Sequence, residues 1–240
     1  MYKYETHLHT REGSLCAMNS GAEMAVACKK AGYDGMIVTN HFWGGNTAID
    51  SRLPWRQWVA RYMRGYDEAK AIGDKIGLRV FFGWESGFQG TEFLVYGLNR
   101  EWLMAHPEIS HVTVEQQYKL VHESGGFVVH AHPFREAPSI PSIRLYPEYV
   151  DAVEAINATH TEARRRDPAW NRSAVAYARK HGLPMTAGSD IHNTALSGGG
   201  ILTNRPLQRI EDYINLLKSD EPFDLTDGQT VYNRFGEPKE

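Results

Sequence analysis

Tyr2-Lys3-Tyr4-Glu5-Thr6-His7-Leu8-His9-Thr10 stands at the start of the chain and decides its reading. Residues 2–9 read as a strand, and two histidines two apart on a strand project from one face. A pair of imidazoles on one face is a pincer for a divalent metal. Four later segments have the same form, each a histidine or carboxylate just past a short strand signal: Thr39-Asn40-His41, Gly83-Trp84-Glu85, His130-Ala131-His132-Pro133 and Gly188-Ser189-Asp190-Ile191-His192. Donors at the C-terminal ends of successive strands are what a metalloenzyme barrel requires.

Outward from that start, strand and helix signals alternate. Further strands are expected at residues 36–39, 79–84, 93–96, 127–131, 150–156 and 185–187. Helices are expected at 21–31, 55–71, 114–124, 168–181 and 207–218. Three of these helices stop at Gly32, Gly125 and Gly182, with an apolar strand a few residues on; glycine tolerates the left-handed conformation that closes a helix. Repeated strand, helix, glycine and strand predicts a parallel α/β fold. No linker, fixed-period repeat or low-complexity segment divides the chain, so residues 1–240 are read as one domain, a usual size for an α/β barrel. The longest loops, 42–54 and 133–147, each follow a candidate ligand and are expected to shape a substrate pocket.

The formal net charge of −3 argues against a general nucleic-acid binder, which is usually basic. No apolar run is long enough to span a membrane. The two cysteines, Cys16 and Cys28, are read as free thiols of a reducing compartment. The first residues lack the basic stretch and apolar core of a secretory signal, so a cytoplasmic location is expected. The sequence assigns no oligomeric state.

A single histidine is more often a hydrogen-bonded core residue than a ligand. Five segments with the same placement would need five unrelated structural reasons. Nitrogen and oxygen donors suit zinc, manganese or iron. There are more of them than one tetrahedral ion needs, which points to two or three ions sharing carboxylate bridges.

The order His-x-His-Thr, Thr-x-His, Gly-x-Glu, Glu92-Phe93-Leu94-Val95-Tyr96-Gly97, His-Pro and Gly-Ser-Asp-x-His resembles the polymerase and histidinol phosphatase (PHP) superfamily over almost the whole chain. The resemblance implies a distorted seven-stranded, TIM-like α/β barrel with helices outside and a metal cluster at the C-terminal strand ends. It implies phosphoester hydrolysis with two or three divalent ions. By matched position, His7, His9, Glu85 and Asp190 would form the first metal site and His41 and His192 the second. Glu85 would bridge to a third site with His132. Two positions depart from the family pattern. Where many relatives carry Asp or His five or six residues beyond the second histidine, this chain has Ser14 and Leu15, and Glu12 is taken as the substitute. Where relatives often have a histidine before the Leu-x-Tyr-Gly-like segment, this chain has Glu92, expected to ligate the third ion.

Among the remaining residues, His130 is read as a core histidine sharing the inward face with His132. His106, His111, His122, His160 and His181 are read as surface residues. Arg135, just after a ligand, is expected to grip phosphate oxygens rather than pair with Glu136. The run Arg164-Arg165-Arg166 reads as a solvated face beside Glu162 and Asp167, Gly198-Gly199-Gly200 as a tight loop, and Trp43, Trp55 and Trp58 as core aromatics. The activity expected is metal-dependent hydrolysis of a small phosphomonoester by a metal-bridging hydroxide, with Asp190 or His192 handling the proton. The partner expected is that small phosphorylated substrate, not a membrane or a nucleic acid. Three rivals stand beside it: a phosphodiesterase or exonuclease, an amidohydrolase-type enzyme acting on C–N bonds, and a non-catalytic metal-binding module.

Overall fold

The computed structural model describes residues 1–161 and 166–239. Arg164, Arg165 and their neighbour Glu162 lie outside the described residues; Arg166 is exposed. In chain order the main elements are β1 (Tyr2–Leu8), α1 (Gly21–Lys30), β2 (Gly35–Val38), α2 (Trp55–Tyr62), α3 (Arg64–Ile76), β3 (Arg79–Phe88), β4 (Thr91–Tyr96), α4 (Arg100–Ala105), α5 (Val114–Glu123), β5 (Phe127–Ala131), β6 (Ala152–Asn157), α6 (Ala169–His181), β7 (Met185–Gly188), β8 (Gly199–Thr203), α7 (Ile210–Lys218), β9 (Phe223–Asp227) and β10 (Val231–Asn233). No helix among the described residues is long and apolar enough to cross a membrane.

Local chemistry sets several of these limits. Ser20 and Glu23 form a reciprocal capping box at the start of α1, and Thr113 and Gln116 do the same for α5. Each box satisfies backbone donors that the first helical turn leaves unpaired. The helix expected over residues 55–71 is two helices, α2 and α3, which meet at Met63.

The strands make one mixed sheet in the order β10-β9-β8-β1-β2-β3-β4-β5-β6-β7. The arcs β1–β2–β3 and β5–β6–β7 are parallel, as expected. Between them β4 runs antiparallel to both neighbours, because the hairpin from β3 turns directly back. The strand order therefore departs from a regular alternation of β and α units. The sheet curls until the chain beyond β7 reaches β1: His9 N donates to Ile191 O at 2.9 Å, and Ile191 N to His7 O at 3.3 Å. The result is a curled half-barrel in a mixed α/β fold.

Gly198-Gly199-Gly200 is not a simple loop. Gly199 and Gly200 begin β8, which runs antiparallel to β1, and β9 and β10 extend the sheet from there. Gly200 has φ of 129°, and a Cβ there would lie 2.0 Å from Tyr4 O, so only glycine lets the two backbones approach. A glycine triplet with no apolar alternation hid this strand from pattern reading.

Three apolar clusters hold the layers. Leu8, Met36, Val38 and Val80 pack on α1 and α3 through Met24, Cys28 and Ala69. Phe42, Trp58, Tyr62, Trp84, Phe93 and Val95 form an aromatic layer on the outer side of β3 and β4. Trp58 is fully buried there and stacks on Trp55, with ring centroids 5.3 Å apart. Tyr96, Val129, Ile156, Tyr177 and Tyr213 belong to the third cluster, with α6 and α7.

Candidate metal centre

The C-terminal ends of the parallel strands, with β4 between them, bring eight donors into one cluster. His7 is at the end of β1 and His9 just past it. His41 follows β2, where Asn40 O and Glu85 O continue the pairing with β3. Glu85 lies on β3 and Glu92 on β4. His132 follows β5, and Asp190 and His192 follow β7. His132 and Asp190 are both non-glycine residues with positive φ, 25° and 51°. Such backbone is costly and persists where surrounding structure over-determines it, often at functional sites.

The donor atoms form four overlapping sets, each with its atoms within 4.8 Å of one another: His7/His9/Asp190, His7/Glu85/His132, His41/Glu85/Glu92 and His9/His41/His192. His7 Nε2 lies 3.2 Å from Glu85 Oε1 and 3.5 Å from Asp190 Oδ1. His9 Nε2 is 3.2 Å from both Asp190 Oδ1 and His7 Nε2. His132 Nε2 is 3.2 Å from Glu85 Oε1 and 3.6 Å from Glu92 Oε2.

Behind the cluster, His7 Nδ1 lies 2.9 Å from Glu154 Oε1. Glu154 Oε2 accepts from His132 N and from Asn157 Nδ2. A carboxylate on Nδ1 fixes the ring so that Nε2 presents its lone pair forward. Gly188 is required here, since a Cβ would come within 2.6 Å of both Glu154 Oε1 and His7 Cβ.

The donor set fits a divalent cation. Glu85 Oε2 and Asp190 Oδ1 are buried without a hydrogen-bond partner. Glu85 Oε2 sits 2.7 Å from His41 Nδ1, yet the two lack hydrogen-bond geometry. Buried carboxylate oxygens are costly unless paired or bound to a metal. The titration behaviour reflects the same crowding. Burial alone would lower His7, but Glu154, Glu85 and Asp190 hold it well above its ordinary value. Burial would likewise lower His41, but Glu85 pushes it up to about 11. Burial would raise Glu85 and Asp190; neighbouring histidines instead hold both well below the carboxylate range. His9 is lowered by burial and by His192 and His41. Burial and the Glu85 charge raise Glu92. The pocket thus favours added positive charge at its carboxylates, which a divalent ion supplies more fully than a proton.

A family model, PHP_C (PHP-associated), matches residues 168–198, from the start of α6 through the Asp190 and His192 loop. No functionally curated protein matches the sequence. Among solved structures, a two-domain protein from Bacteroides vulgatus ATCC 8482 containing a predicted PHP-like metal-dependent phosphoesterase aligns with TM-score 0.69 at 15% identity, over 96% of this chain. The chain spans 66% of the length of that protein. PsfC from Pseudomonas syringae PB-5123 aligns with TM-score 0.59 at 20% identity, over 89% of this chain and 87% of PsfC. A Bifidobacterium adolescentis ATCC 15703 protein, named as a candidate metal-dependent phosphoesterase, aligns with TM-score 0.55 at 14% identity, over 90% of this chain and 96% of that one. At these identities the structural likeness shows the fold alone, and the family model is matched over residues 168–198. Residues 168–198 and the overall fold are thus similar to those of PHP-like proteins.

His7, His9, His41, Glu85, Glu92, His132, Asp190 and His192 lie together in the four sets. Glu12 does not join them. Its Oε2 accepts from Gly21 N at 3.1 Å, at the first residue of α1. Ser14 fills the place beside His9 instead, with Oγ 3.0 Å from His9 Nδ1 and accepting from His41 N at 2.9 Å. Arg135 reaches the cluster rim through Glu92 Oε2 at 2.9 Å, not through Glu136, and its buried Nε has no partner.

Strand periodicity misplaces His130. β5 ends at Ala131, and the positive φ of His132 breaks the alternation that would put both histidines on one face. His130 instead stacks on Phe93 at 5.0 Å, in the outer aromatic layer, and burial lowers it to about 3. His160 is not a surface residue: it is buried, 6.1 Å from the His132 ring and edge-on to Trp170. Glu154 escaped sequence reading, although a carboxylate inside the apolar run Ala152-Val153-Glu154-Ala155-Ile156 was a usable signal. Cys16 also escaped. The His192 and His41 rings outweigh burial and lower its thiol to about 6.

Proposed function

We propose that the protein is a metal-dependent phosphomonoesterase acting on a small substrate. The observation that carries this reading is the pair of buried, unpartnered carboxylate oxygens, Glu85 Oε2 and Asp190 Oδ1, facing converging imidazoles beside an arginine. In this reading His7, His9, Glu85 and Asp190 hold a first ion, and His41 and His192 a second. His132 and Glu92 share Glu85 with a third. Bound divalent ions lower the pKa of water and offset charge on a phosphoryl group.

The chain's own residues do the rest. Arg135, held at the rim by Glu92, offers its remaining guanidinium donors to phosphoryl oxygens. A narrow cleft lined by Thr91, Glu92, His132, Arg135, Ile143 and Arg144 adjoins it. His192 Nδ1 donates to Asp190 O at 2.8 Å, which leaves Nε2 free for an ion or a proton. His192 is a quarter exposed, so it can pass a proton between the cluster and an incoming or leaving group.

The test compares an aryl phosphomonoester, an aryl phosphodiester and an aryl amide. Each is assayed with chelated protein and after return of zinc, manganese or iron. Monoester hydrolysis that disappears on chelation and returns with metal is expected. Undiminished turnover by verified metal-free protein would overturn the metal-dependent reading. Hydrolysis of only the diester, or only the amide, would replace the substrate class.

A further inference from the structure

Past Tyr4, β1 leaves its partner β8: their antiparallel pairing runs from Tyr2 opposite Thr203 to Tyr4 opposite Ile201. From there β1 faces the chain after β7, at the seam where the curled sheet closes. Its pairing with β2 also slips there. Glu5 faces Met36 and Leu8 faces Val38, so three steps of β1 run against two of β2. An extra residue of this kind re-aims a neighbouring side chain. Glu5, only 1% exposed, sits at that seam. Its Oε1 accepts from His7 N at 3.0 Å and, across the seam, from Ser189 N at 2.9 Å. Ser189 is also held from its other side, with Oγ accepting from Gly199 N at 3.2 Å. One oxygen thus ties the backbone of the candidate ligand His7 to the residue before Asp190, whose φ of 51° needs support from its surroundings. Glu5 Oε2 is buried with no hydrogen-bond partner. A buried carboxylate oxygen left unpaired costs stability, so a carboxylate is a poor choice for holding the sheet alone.

We propose that Glu5 is a positioning residue for the metal centre: its Oε1 clasps β1 to the loop after β7 and sets the spacing of His7 and Asp190, ligands of the first ion from opposite sides of the seam. Glu5 belongs to none of the four donor sets and acts through the backbone of its neighbours. What it supplies is preorganisation. With the clasp in place, His7 Nε2 and Asp190 Oδ1 stand 3.5 Å apart, and an ion meets the pair without first having to order it. The inference rests on the metal-centre reading, and the experiment separates the two.

Metal-free full-length protein is titrated with zinc(II) against a chromophoric chelator, with bound metal measured by elemental analysis and stability read separately by urea unfolding without metal. Glu5→Ala removes the acceptor and should weaken zinc binding ~10–100-fold, the range for an outer-shell partner. Glu5→Gln keeps a carbonyl oxygen in the place of Oε1 and should restore most of that loss. A role in the fold alone predicts a lower urea midpoint for Glu5→Ala with unchanged zinc affinity of the folded protein. That result overturns the proposal and leaves the metal centre standing. So does a Glu5→Gln variant that loses as much affinity as Glu5→Ala, since charge rather than the clasp would then be the cause. Should Glu5→Ala not fold, Glu5→Asp takes its place: its shorter side chain cannot reach both donors, so it should bind zinc more weakly than Glu5→Gln, and equal affinity overturns the proposal. No zinc bound by wild type overturns both readings.

Discussion

His7 and His192 close the same cluster but are held in unlike ways. His7 is fully buried, and the Glu154 carboxylate backs its Nδ1 at 2.9 Å. His192 is a quarter exposed, and a backbone carbonyl, Asp190 O, orients its Nδ1. The floor of the cluster is fixed by carboxylates on neighbouring strands, which raise ligand basicity and lock ring orientation. The rim, with His41, His192, Glu92 and Arg135, lies on loops and on the antiparallel strand β4, within reach of solvent. A floor built for affinity and a rim built for exchange should respond differently to substitution.

Asp190 joins the two regions, with Oδ1 3.2 Å from His9 Nε2 and 3.8 Å from His192 Nδ1. Asp190→Asn keeps the shape and removes the charge. Turnover should fall on the order of a hundredfold or more, as when other preorganised charges are lost, while thermal unfolding stays cooperative. Near wild-type kinetics would dissolve the link between floor and rim.

Arg135→Ala probes the rim alone. It should cost roughly 2–3 kcal/mol in kcat/KM, the scale of a charge-assisted contact, which is about 30–150-fold. Metal content by elemental analysis should stay unchanged, since Arg135 touches Glu92 rather than an ion site directly. Loss of metal together with activity would move Arg135 from substrate contact to support of Glu92.

Glu154→Gln probes the floor. Its glutamine can still contact His7 but carries no charge, so metal affinity should drop ~10–100-fold, as for other outer-shell partners. Titration with a competing chelator reads this directly. Saturating metal should restore much of the rate. An unchanged affinity would mean the floor gains nothing from Glu154 and the contrast with His192 is one of exposure only.

Much of this contrast was legible in the sequence. His7, His9, His41, Glu85, His132, Asp190 and His192 each follow a strand signal, and a parallel strand end must place its next residues on one side of the sheet. What escaped has physical reasons. β4 reverses because of a hairpin whose strands are too apolar to reveal direction, and β8 begins in glycines with no side-chain pattern. The outward turn of His130 follows from a positive φ one residue beyond the strand, which period-two reading assumes away. His160 reaches the centre on a loop, where spacing carries no information about direction. Glu12 looked suitable because it was the nearest carboxylate to His9. Nearness in sequence did not include the competing claim of a helix start.

That competing claim gives the smallest expected effect. Glu12 Oε2 accepts from Gly21 N at 3.1 Å, at the end of α1 where backbone donors lack helical partners and negative charge is favoured. Ser20 and Glu23 already satisfy other donors of that turn, so Glu12 is one contributor among several. Glu12→Ala should therefore reduce stability by about 0.5–2 kcal/mol, the range of a lost helix-start contact, read as a lower midpoint in urea with unchanged slope. Its activity and metal content should match wild type, because Ser14, not Glu12, stands beside His9. A parallel Glu92→Gln variant should behave in the opposite sense, with little loss of stability and weaker metal retention at the rim. If Glu12→Ala instead loses metal while α1 stays intact, the carboxylate must leave the helix start and swing to His9 when an ion binds. The separation drawn here between helix support and rim chemistry would then be wrong at this residue.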